Sequence, residues 1–275
     1  MAAQTSRAFR FSIGIHSAKS SAALRDKARR LEDAGFDALY LPDHIGAPAP
    51  FPVLTAIAAA TSTVRVGTYV LNACFYKPAL LARDAAAVND LSDGRLELGL
   101  GAGYVREEFE AAELPYPSAG QRVDYLEHVT TYLKKHLPSV PILIAGNGNR
   151  LLTIAAQHAD IIGLTGANDR GAGDALAERI ELVRAAAGDR FADLVLNLAI
   201  TGVSDSSGKP DLSMTRRYAP DLSDEQLLAL PAVLSGSPRD IADTLRGYRE
   251  TYGLTSVTVQ QHHAETFAKV IAEFR

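Results

Sequence analysis

A carboxylate and an imidazole stand side by side at Asp43 and His44, directly after a short run of strand-forming residues, 37–42. Such a pair can orient a polar ring and move a proton, because histidine titrates near neutral pH. The structural alternative is that Asp43 caps the following turn while His44 packs in a loop, and the dipeptide alone slightly favours this alternative. Chemistry at Asp43 and His44 therefore depends on what the fold places beside them.

A glycine-rich turn, GNGNR, lies between a predicted strand and a predicted helix. Glycines let the backbone approach an anion, and the first amides of a helix point outward at the positive end of its dipole. Arg150 adds a charge suited to phosphate. The alternative is a tight turn that needs glycine only for its shape. The turn matches neither GxGxxG nor GxxxxGK[ST], which argues against a Rossmann dinucleotide site and against an ATPase.

Two further groups of residues could bind ligands. The segment GLGAGY, residues 99–104, ends a predicted strand with three glycines, and a flat ring could lie against that backbone with Tyr104 beside it; close helix–strand packing is the alternative. His16, His262 and His263 could ligate a metal, but few carboxylates accompany them. A metal-dependent hydrolase is therefore a weak alternative, and we expect no metal.

The elements that must position these residues alternate between strand and helix. Strands joined through helices lie parallel, and eight such units in about 250 residues are typical of a (β/α)8 TIM barrel. We therefore predict an α/β fold with one barrel domain over residues 1–275; an open doubly wound sheet is the alternative. A long irregular loop is predicted at 202–220. The predicted strands are 9–15, 37–42, 64–71, 95–101, 140–146, 160–166, 194–200 and 255–260, and the predicted helices include 20–34, 78–91, 122–136, 150–159, 175–187, 237–252 and 264–274.

Composition narrows the class of protein. The 275 residues carry a net charge of -4, whereas nucleic-acid-binding proteins usually carry a basic excess. Cys74 is the single cysteine, so an intrachain disulfide and a cysteine-based metal site are excluded. The first ten residues do not form the apolar region of a signal peptide, and no apolar run is long enough to cross a bilayer. We expect a cytoplasmic protein that binds neither nucleic acid nor membrane.

Taken together and in this order, these residues resemble the bacterial luciferase-like monooxygenase family, in its branch of F420-dependent oxidoreductases. The matching segments cover most of the chain. The most specific of them is GRLELGLGAGY with the helix before it. The segments AGFDALYLPDH, VRVGTYVLN and ILIAGNGNRLLTIAAQHADIIGLTG also match.

The resemblance implies a role for each candidate residue. Asp43 would hydrogen-bond the deazaflavin ring and His44 would lie near the carbon that exchanges hydride. A cis peptide near Tyr69 and Val70 would back the ring, and Asn72 would contact its edge. Residues along the ribityl chain would be Gly101, Gly103, Tyr104 and Glu107. Residues around the phosphate would be Gly146, Asn147, Gly148, Asn149, Arg150, Thr165 and Gly166.

The resemblance also implies a reaction: hydride transfer between coenzyme F420 and a small organic substrate. An FMN-dependent monooxygenase and a non-catalytic flavin- or deazaflavin-binding barrel remain alternatives. The acidic tail of F420 would need basic residues, for which Arg106, Arg150 and Arg170 are available. The family implies a homodimer through the helices at 53–60 and 78–88. Relatives usually carry a long extra segment between the helix predicted here at 122–136 and the next strand. In this chain only residues 133–146 bridge that helix to the strand.

Overall fold

The structure is a computed structural model that describes residues 8–16, 20–166, 174–204 and 208–275. Its strands are β1 (Arg10–Gly14), β2 (Ala38–Leu41), β3 (Arg65–Thr68), β4 (Leu71–Asn72), β5 (Leu96–Gly101), β6 (Ile142–Ala145), β7 (Ile161–Thr165), β8 (Val195–Ala199), β9 (Gly202–Val203), β10 (Val233–Leu234) and β11 (Ser256–Gln260). Eight of them form a closed parallel ring in the order β1, β2, β3, β5, β6, β7, β8, β11, in which β3 pairs with β5 and β11 pairs with β1. The predicted (β/α)8 barrel is confirmed.

Helices separate the strands along the chain. They are α1 (Ser21–Asp33), α2 (Pro50–Ala58), α3 (Pro78–Leu91), α4 (Arg106–Ala111), α5 (Ala119–His136), α6 (Asn149–His158), α7 (Ala175–Ala187), α8 (Ser213–Tyr218), α9 (Asp224–Leu228), α10 (Pro238–Tyr252) and α11 (Ala264–Ala272). The helix predicted at 122–136 is α5, and it begins three residues earlier, at Ala119. Ser118 caps α5 in a capping box with Gln121, a signal that the helical periodicity alone did not reveal.

Two kinds of core hold the barrel. An apolar layer, mostly aliphatic with several phenylalanines, fills the space between the strands and the surrounding helices. Inside the ring, the carboxylate of Glu97 is 2% exposed and contacts Arg10 and Arg65, each at 2.7 Å, while the Tyr40 hydroxyl donates to it at 2.5 Å. A buried carboxylate needs such compensation, because its desolvation costs several kcal/mol. This network lies near the amino-terminal ends of the strands, whereas the active sites of parallel barrels lie at the carboxyl ends.

The segment from 202 to 236, hereafter the excursion, corrects the prediction of an irregular loop at 202–220. Its described part contains β9, α8, α9 and β10, and β9 pairs with β10 outside the barrel. Ala219, Leu227, Leu230 and Val233 form its small apolar core. The sequence pattern did not reveal this core because most of its residues lie beyond 220, and because they pack against one another rather than against the barrel. Within the described residues, the helices lack the length and apolar character that crossing a membrane requires.

Candidate functional site

The carboxyl ends of the eight parallel strands meet at one face of the barrel, called the mouth below. Asp43 lies there, two residues after β2 ends. Its Oδ2 accepts the backbone N–H of Asn72 at 3.1 Å, and the Tyr76 hydroxyl also hydrogen-bonds to it. Burial raises the pKa of Asp43 above its usual value, although the Asn72 and Tyr76 hydrogen bonds oppose that shift. The structure thus fixes this carboxyl in place between two strand ends.

His44 forms a pair with a residue that sequence reasoning did not identify. Its Nδ1 lies 2.7 Å from Oε1 of Glu108, on α4, and the His44 side chain is 50% exposed. Glu107, which the resemblance places along the ribityl chain, is exposed, and that role stays a prediction. Adjacent helical residues point about 100° apart, so only one of the two glutamates can face His44. Two consecutive glutamates just after GLGAGY were the available signal, but their spacing alone did not separate them.

The third barrel strand is interrupted at the peptide that was predicted to be cis. The Tyr69–Val70 peptide is cis and separates β3 from β4, so the single strand predicted at 64–71 is in fact two. The neighbouring strand, β5, passes very close to it. A Cβ added at Gly99 would lie 2.0 Å from the Thr68 carbonyl oxygen, and one at Gly101 would lie 2.8 Å from a methyl of Val70. The glycines of GLGAGY therefore allow β5 to run against this break.

Asn72 and Gly103 pack against each other beside that break. The Asn72 side-chain oxygen accepts the Cys74 N–H at 3.1 Å, and Asn72 is buried. Gly103 has a φ of 71°, and a Cβ there would lie 2.2 Å from that same oxygen. Arg122 donates to the Gly103 carbonyl at 2.9 Å. Asn72 thus supports the loop, whereas the ring of Tyr104, 69% exposed, is accessible to a ligand.

The GNGNR turn leads into the start of α6. Gly148 is the residue before the helix, no described side chain caps it, and a Cβ at Gly148 would meet no described atom within 4 Å. Asn147 and Asn149 are exposed, and Gly146 packs on Leu151. The Arg150 guanidinium is ion-paired with Asp124. The Gly146 N–H donates to the Gly163 carbonyl at 3.4 Å, so the amides left for an anion are those of the exposed residues Asn147, Gly148 and Asn149. The arginine already has a carboxylate partner.

Thr165 and Gly166 lie at the end of β7. The Thr165 carbonyl accepts a hydrogen bond from Arg179 at 2.8 Å. Gly166 is buried, and a Cβ there would lie 2.8 Å from the backbone nitrogen of Ala232, in the excursion. This strand end is therefore covered by protein. Arg170, another sequence candidate, lies outside the described residues.

The three histidines considered for a metal do not form a metal site. His16 Nε2 lies 2.5 Å from Oε1 of Gln260, and His262 lies 3.5 Å from Asp211. His263 is buried, and burial lowers its pKa to about 4. Within the described residues, no group of three or more histidine, cysteine, aspartate or glutamate side chains is arranged to hold a metal ion. The metal-hydrolase alternative gains no support.

The model of a known family, luciferase-like monooxygenase, matches residues 4–208, about three quarters of the chain. The chain belongs to this family. That membership confirms the resemblance drawn from GRLELGLGAGY and the other segments.

Two known proteins are similar to the chain over different lengths. A 5,10-methylenetetrahydromethanopterin reductase of Archaeoglobus fulgidus is 30% identical over 47% of this chain and 45% of its own length. An F420-dependent glucose-6-phosphate dehydrogenase of Microbacterium testaceum is 27% identical over 80% of this chain and 61% of its own. The match therefore spans only about half the length of these relatives.

A solved structure shares the fold over nearly the whole chain. It is a type II Baeyer–Villiger monooxygenase from Pseudomonas putida in complex with FMN, 15% identical, covering 98% of this chain and 96% of its own, with a TM-score of 0.73. At this identity the likeness shows the fold alone.

Proposed function

We propose that this protein is an oxidoreductase that transfers hydride between coenzyme F420 and a small organic substrate. The observation that carries the proposal is the His44–Glu108 pair, held at 2.7 Å beside the half-buried Asp43 at the mouth of a luciferase-like barrel. The F420-dependent relative supports the choice of coenzyme. The solved structure with bound FMN keeps FMN as the alternative.

The mouth has the features that a flat ring with a phosphate tail requires. The Tyr69–Val70 peptide, with Gly101 beside it, offers a backbone surface for the ring, and Asp43 offers a hydrogen bond to it. The uncapped amides that begin α6 suit a phosphate. When bound there, the coenzyme would supply the carbon that gives or takes hydride. The residues proposed to hold the phosphate are Gly146, Asn147, Gly148, Asn149 and Arg150, together with Thr165 and Gly166 at the end of β7.

The chain's own residues would handle the proton. Nδ1 of His44 donates to Glu108, which fixes the ring orientation and leaves Nε2 to exchange a proton with the substrate oxygen. In reduction of a carbonyl, a bound reduced coenzyme would supply the hydride for the carbon, and His44 would give its Nε2 proton to the substrate oxygen. In the reverse direction, His44 accepts the hydroxyl proton as hydride leaves the carbon.

Side-by-side titration with F420 and FMN tests the proposal. We expect one of the two to bind with a micromolar or lower Kd, measured by the change in coenzyme fluorescence. Gly148→Asp places a negative charge at the start of α6 and should weaken that binding at least tenfold, whereas Gly247→Asp, in the middle of α10, should not. If neither coenzyme bound the protein, the proposal would be wrong.

Turnover separates the three proposed roles. An F420-dependent oxidoreductase should oxidise reduced F420 when a carbonyl compound is added, without consuming oxygen. Substrate-dependent oxygen consumption with reduced FMN would favour the monooxygenase alternative. Binding without turnover over a broad panel of carbonyl and enoate compounds would favour the non-catalytic barrel.

We further propose a homodimer through the outer face of α2 and α3. The two helices pack side by side, and Leu80 and Leu91 on α3 are exposed. Exposed leucines on one helix face favour contact with protein. Sedimentation should therefore give a dimer that Leu80→Glu dissociates and Leu228→Glu does not. The cytoplasmic location stays a prediction.

A further inference from the structure

A polar pair at the mouth, His16 and Gln260, has no role in the proposed proton transfer. Nε2 of His16 lies 2.5 Å from Oε1 of Gln260. The two residues end neighbouring strands, since Gly14 on β1 pairs with Gln260 on β11, and His16 follows two residues after Gly14. The pair therefore lies at the carboxyl ends of the strands, on the face where parallel barrels carry their active sites.

The pleat of the two strands directs both side chains toward the inside of the barrel. Successive side chains of a strand point to opposite faces. Ile13 and Ile15 of the first strand lie in the apolar layer between the strands and the helices, as does Val259 of the last strand. His16 and Gln260, which alternate with them, therefore face the interior.

Gly14 provides the space that the pair occupies. A Cβ added at Gly14 would lie 3.3 Å from Nε2 of His16 and 3.7 Å from Oε1 of Gln260. His16 is exposed and Gln260 is half-buried, so a ligand in the mouth can reach both.

The register of the strands brings the pair next to the proton-transferring site. β1 and β2 are neighbours, and the Ile15 N–H donates to the Tyr40 carbonyl at 2.7 Å. In the same register His16 lies level with Pro42, two residues before His44. Neighbouring strands are about 4.8 Å apart, so the pair lies beside the strand end that carries His44.

The order of the strands separates the pair from the proposed phosphate site. In the closed ring of eight, β1 and β6 are four positions apart and lie on opposite sides of the barrel. The GNGNR turn follows β6. The pair is thus close to His44 and far from that turn, which is the position of a group that contacts the substrate.

The pair offers both an acceptor and a donor. Oε1 of Gln260 accepts the N–H at Nε2 of His16, so neutral His16 keeps Nδ1 as an acceptor and Gln260 keeps its amide N–H groups as donors. Among the described residues, neither Nδ1 nor that amide nitrogen contacts a hydrogen-bonding partner. A hydroxyl can donate to the first and accept from the second, whereas a carbonyl or carboxylate oxygen can only accept.

The charges beside the pair favour an uncharged group over an anion. Asp43 and Glu108 supply two carboxyl groups around His44, and like charges repel. A cation is also near, since Lys27 donates to Oε1 of Gln261 at 3.2 Å. A carboxylate that reaches Lys27 is therefore the competing ligand that an experiment must separate from a hydroxyl.

We infer that His16 and Gln260 bind a hydroxyl group of the substrate, so that the preferred substrate is a small hydroxy ketone or, in the reverse direction, the corresponding diol. This inference rests on the proposed oxidoreductase function. It assigns substrate selection to the pair, while His44 exchanges the proton.

Hydroxyacetone, acetone and pyruvate test the inference, because they differ only in the group attached to the carbonyl carbon. With the reduced form of whichever coenzyme binds, kcat/KM should be highest for hydroxyacetone. His16→Phe and Gln260→Leu should each lower that value about tenfold, since each leaves a polar group of the bound hydroxyl unpaired. Acetone turnover and coenzyme Kd should stay within about twofold. His262→Phe, a histidine that lies 3.5 Å from Asp211, is the matched control and should change none of these values.

NMR of the histidine rings gives a readout that needs no turnover. In protein saturated with the oxidised coenzyme, propane-1,2-diol should shift the ring signals of His16, which are identified by their loss in His16→Phe. Propan-2-ol, which lacks the second hydroxyl, should leave them in place. If none of the three ketones is turned over, this comparison alone decides the inference.

The outcomes separate the two proposals. A wild-type protein that binds no coenzyme ends the proposed function, and this inference with it. Normal coenzyme binding without a preference for hydroxyacetone, or with a preference that both variants retain, overturns the inference alone. A higher kcat/KM for pyruvate, an unshifted His16 signal with the diol, or weaker coenzyme binding in His16→Phe also overturns it.

Discussion

His44 and Glu108 lie 64 positions apart in the chain, yet they form the pair on which the proposed chemistry depends. The sequence identified His44 through its place after a strand, because strand ends converge in any parallel barrel. It did not identify Glu108 or Tyr76, the hydrogen-bonding partner of Asp43. Both belong to connections that follow other strands, and their side-chain directions depend on local turns.

Substitution of this pair gives the first prediction. His44→Gln removes the group that exchanges the proton and should lower kcat by about 100- to 10,000-fold. Glu108→Gln leaves His44 in place but loosens its orientation, so kcat should fall by up to about 100-fold, with KM and coenzyme affinity unchanged. Steady-state kinetics and coenzyme titration measure both effects.

Glu110→Gln, at an exposed position of the same helix, is the matched control and should have wild-type kinetics. Wild-type kcat in His44→Gln would contradict a role for this residue in proton transfer.

At the scale of elements, the junction of β3, β4 and β5 shows how one strand shapes its neighbour. Thr68 joins the two sides, since its Oγ1 donates to the Gly99 carbonyl at 2.8 Å and accepts the Gly99 N–H at 2.9 Å. The approach is close enough that only glycine fits at 99. From the sequence we predicted that the glycines of GLGAGY end a strand, and the family resemblance gave the position of the cis peptide. The strand before that peptide was predicted as continuous over 64–71.

Adding one methyl group at this junction gives the second prediction. In Gly99→Ala the new Cβ would lie 2.0 Å from a backbone oxygen, and backbone cannot move aside as a flexible side chain can. The free energy of unfolding should fall by about 1–3 kcal/mol or more, as in other overpacked cores. Denaturant unfolding measures the change.

Gly247→Ala, in the middle of α10 with no described atom within 4 Å of the new Cβ, should instead raise stability by about 0.5–1 kcal/mol. Equal stability of Gly99→Ala and the wild-type protein would show that the junction is looser than the structure indicates.

For the whole molecule, one buried histidine couples folding to pH. Burial lowers the pKa of His263 from 6.5 to about 4; the neighbouring His262 also lowers it, and Asp211 opposes this. Its Nε2 contacts no hydrogen-bonding partner among the described residues. Between pH 6.5 and about pH 4 the unfolded chain therefore binds a proton at this position that the folded chain excludes.

The third prediction follows from that difference. The free energy of unfolding should fall as pH decreases from about 6.5 toward 4, and His263→Gln should reduce the slope of that fall because Gln does not titrate. Denaturation curves at pH 7 and pH 5 measure it. His136→Gln, at an exposed position of α5, should retain the wild-type slope. An unchanged slope in His263→Gln would assign the pH dependence to other groups.

The alternation of apolar runs and helical patterns determined the barrel by itself, because parallel strands joined through helices have few ways to bury both faces. The same logic placed Asp43, His44, Tyr104 and the GNGNR turn at the mouth. The extension of one domain over residues 1–275 stays a prediction.

Only the tertiary structure decided which side chains meet. It paired His44 with Glu108 rather than leaving it in a loop, paired Arg150 with Asp124, and placed Pro231 and Ala232 of the excursion against the end of β7. Such contacts join residues far apart in the chain. Which side chains meet depends on the angles between elements and on shifts in distance of about an ångström. The periodicity of a sequence predicts which face of a helix or strand a residue lies on, but it does not predict which residue of another element contacts it.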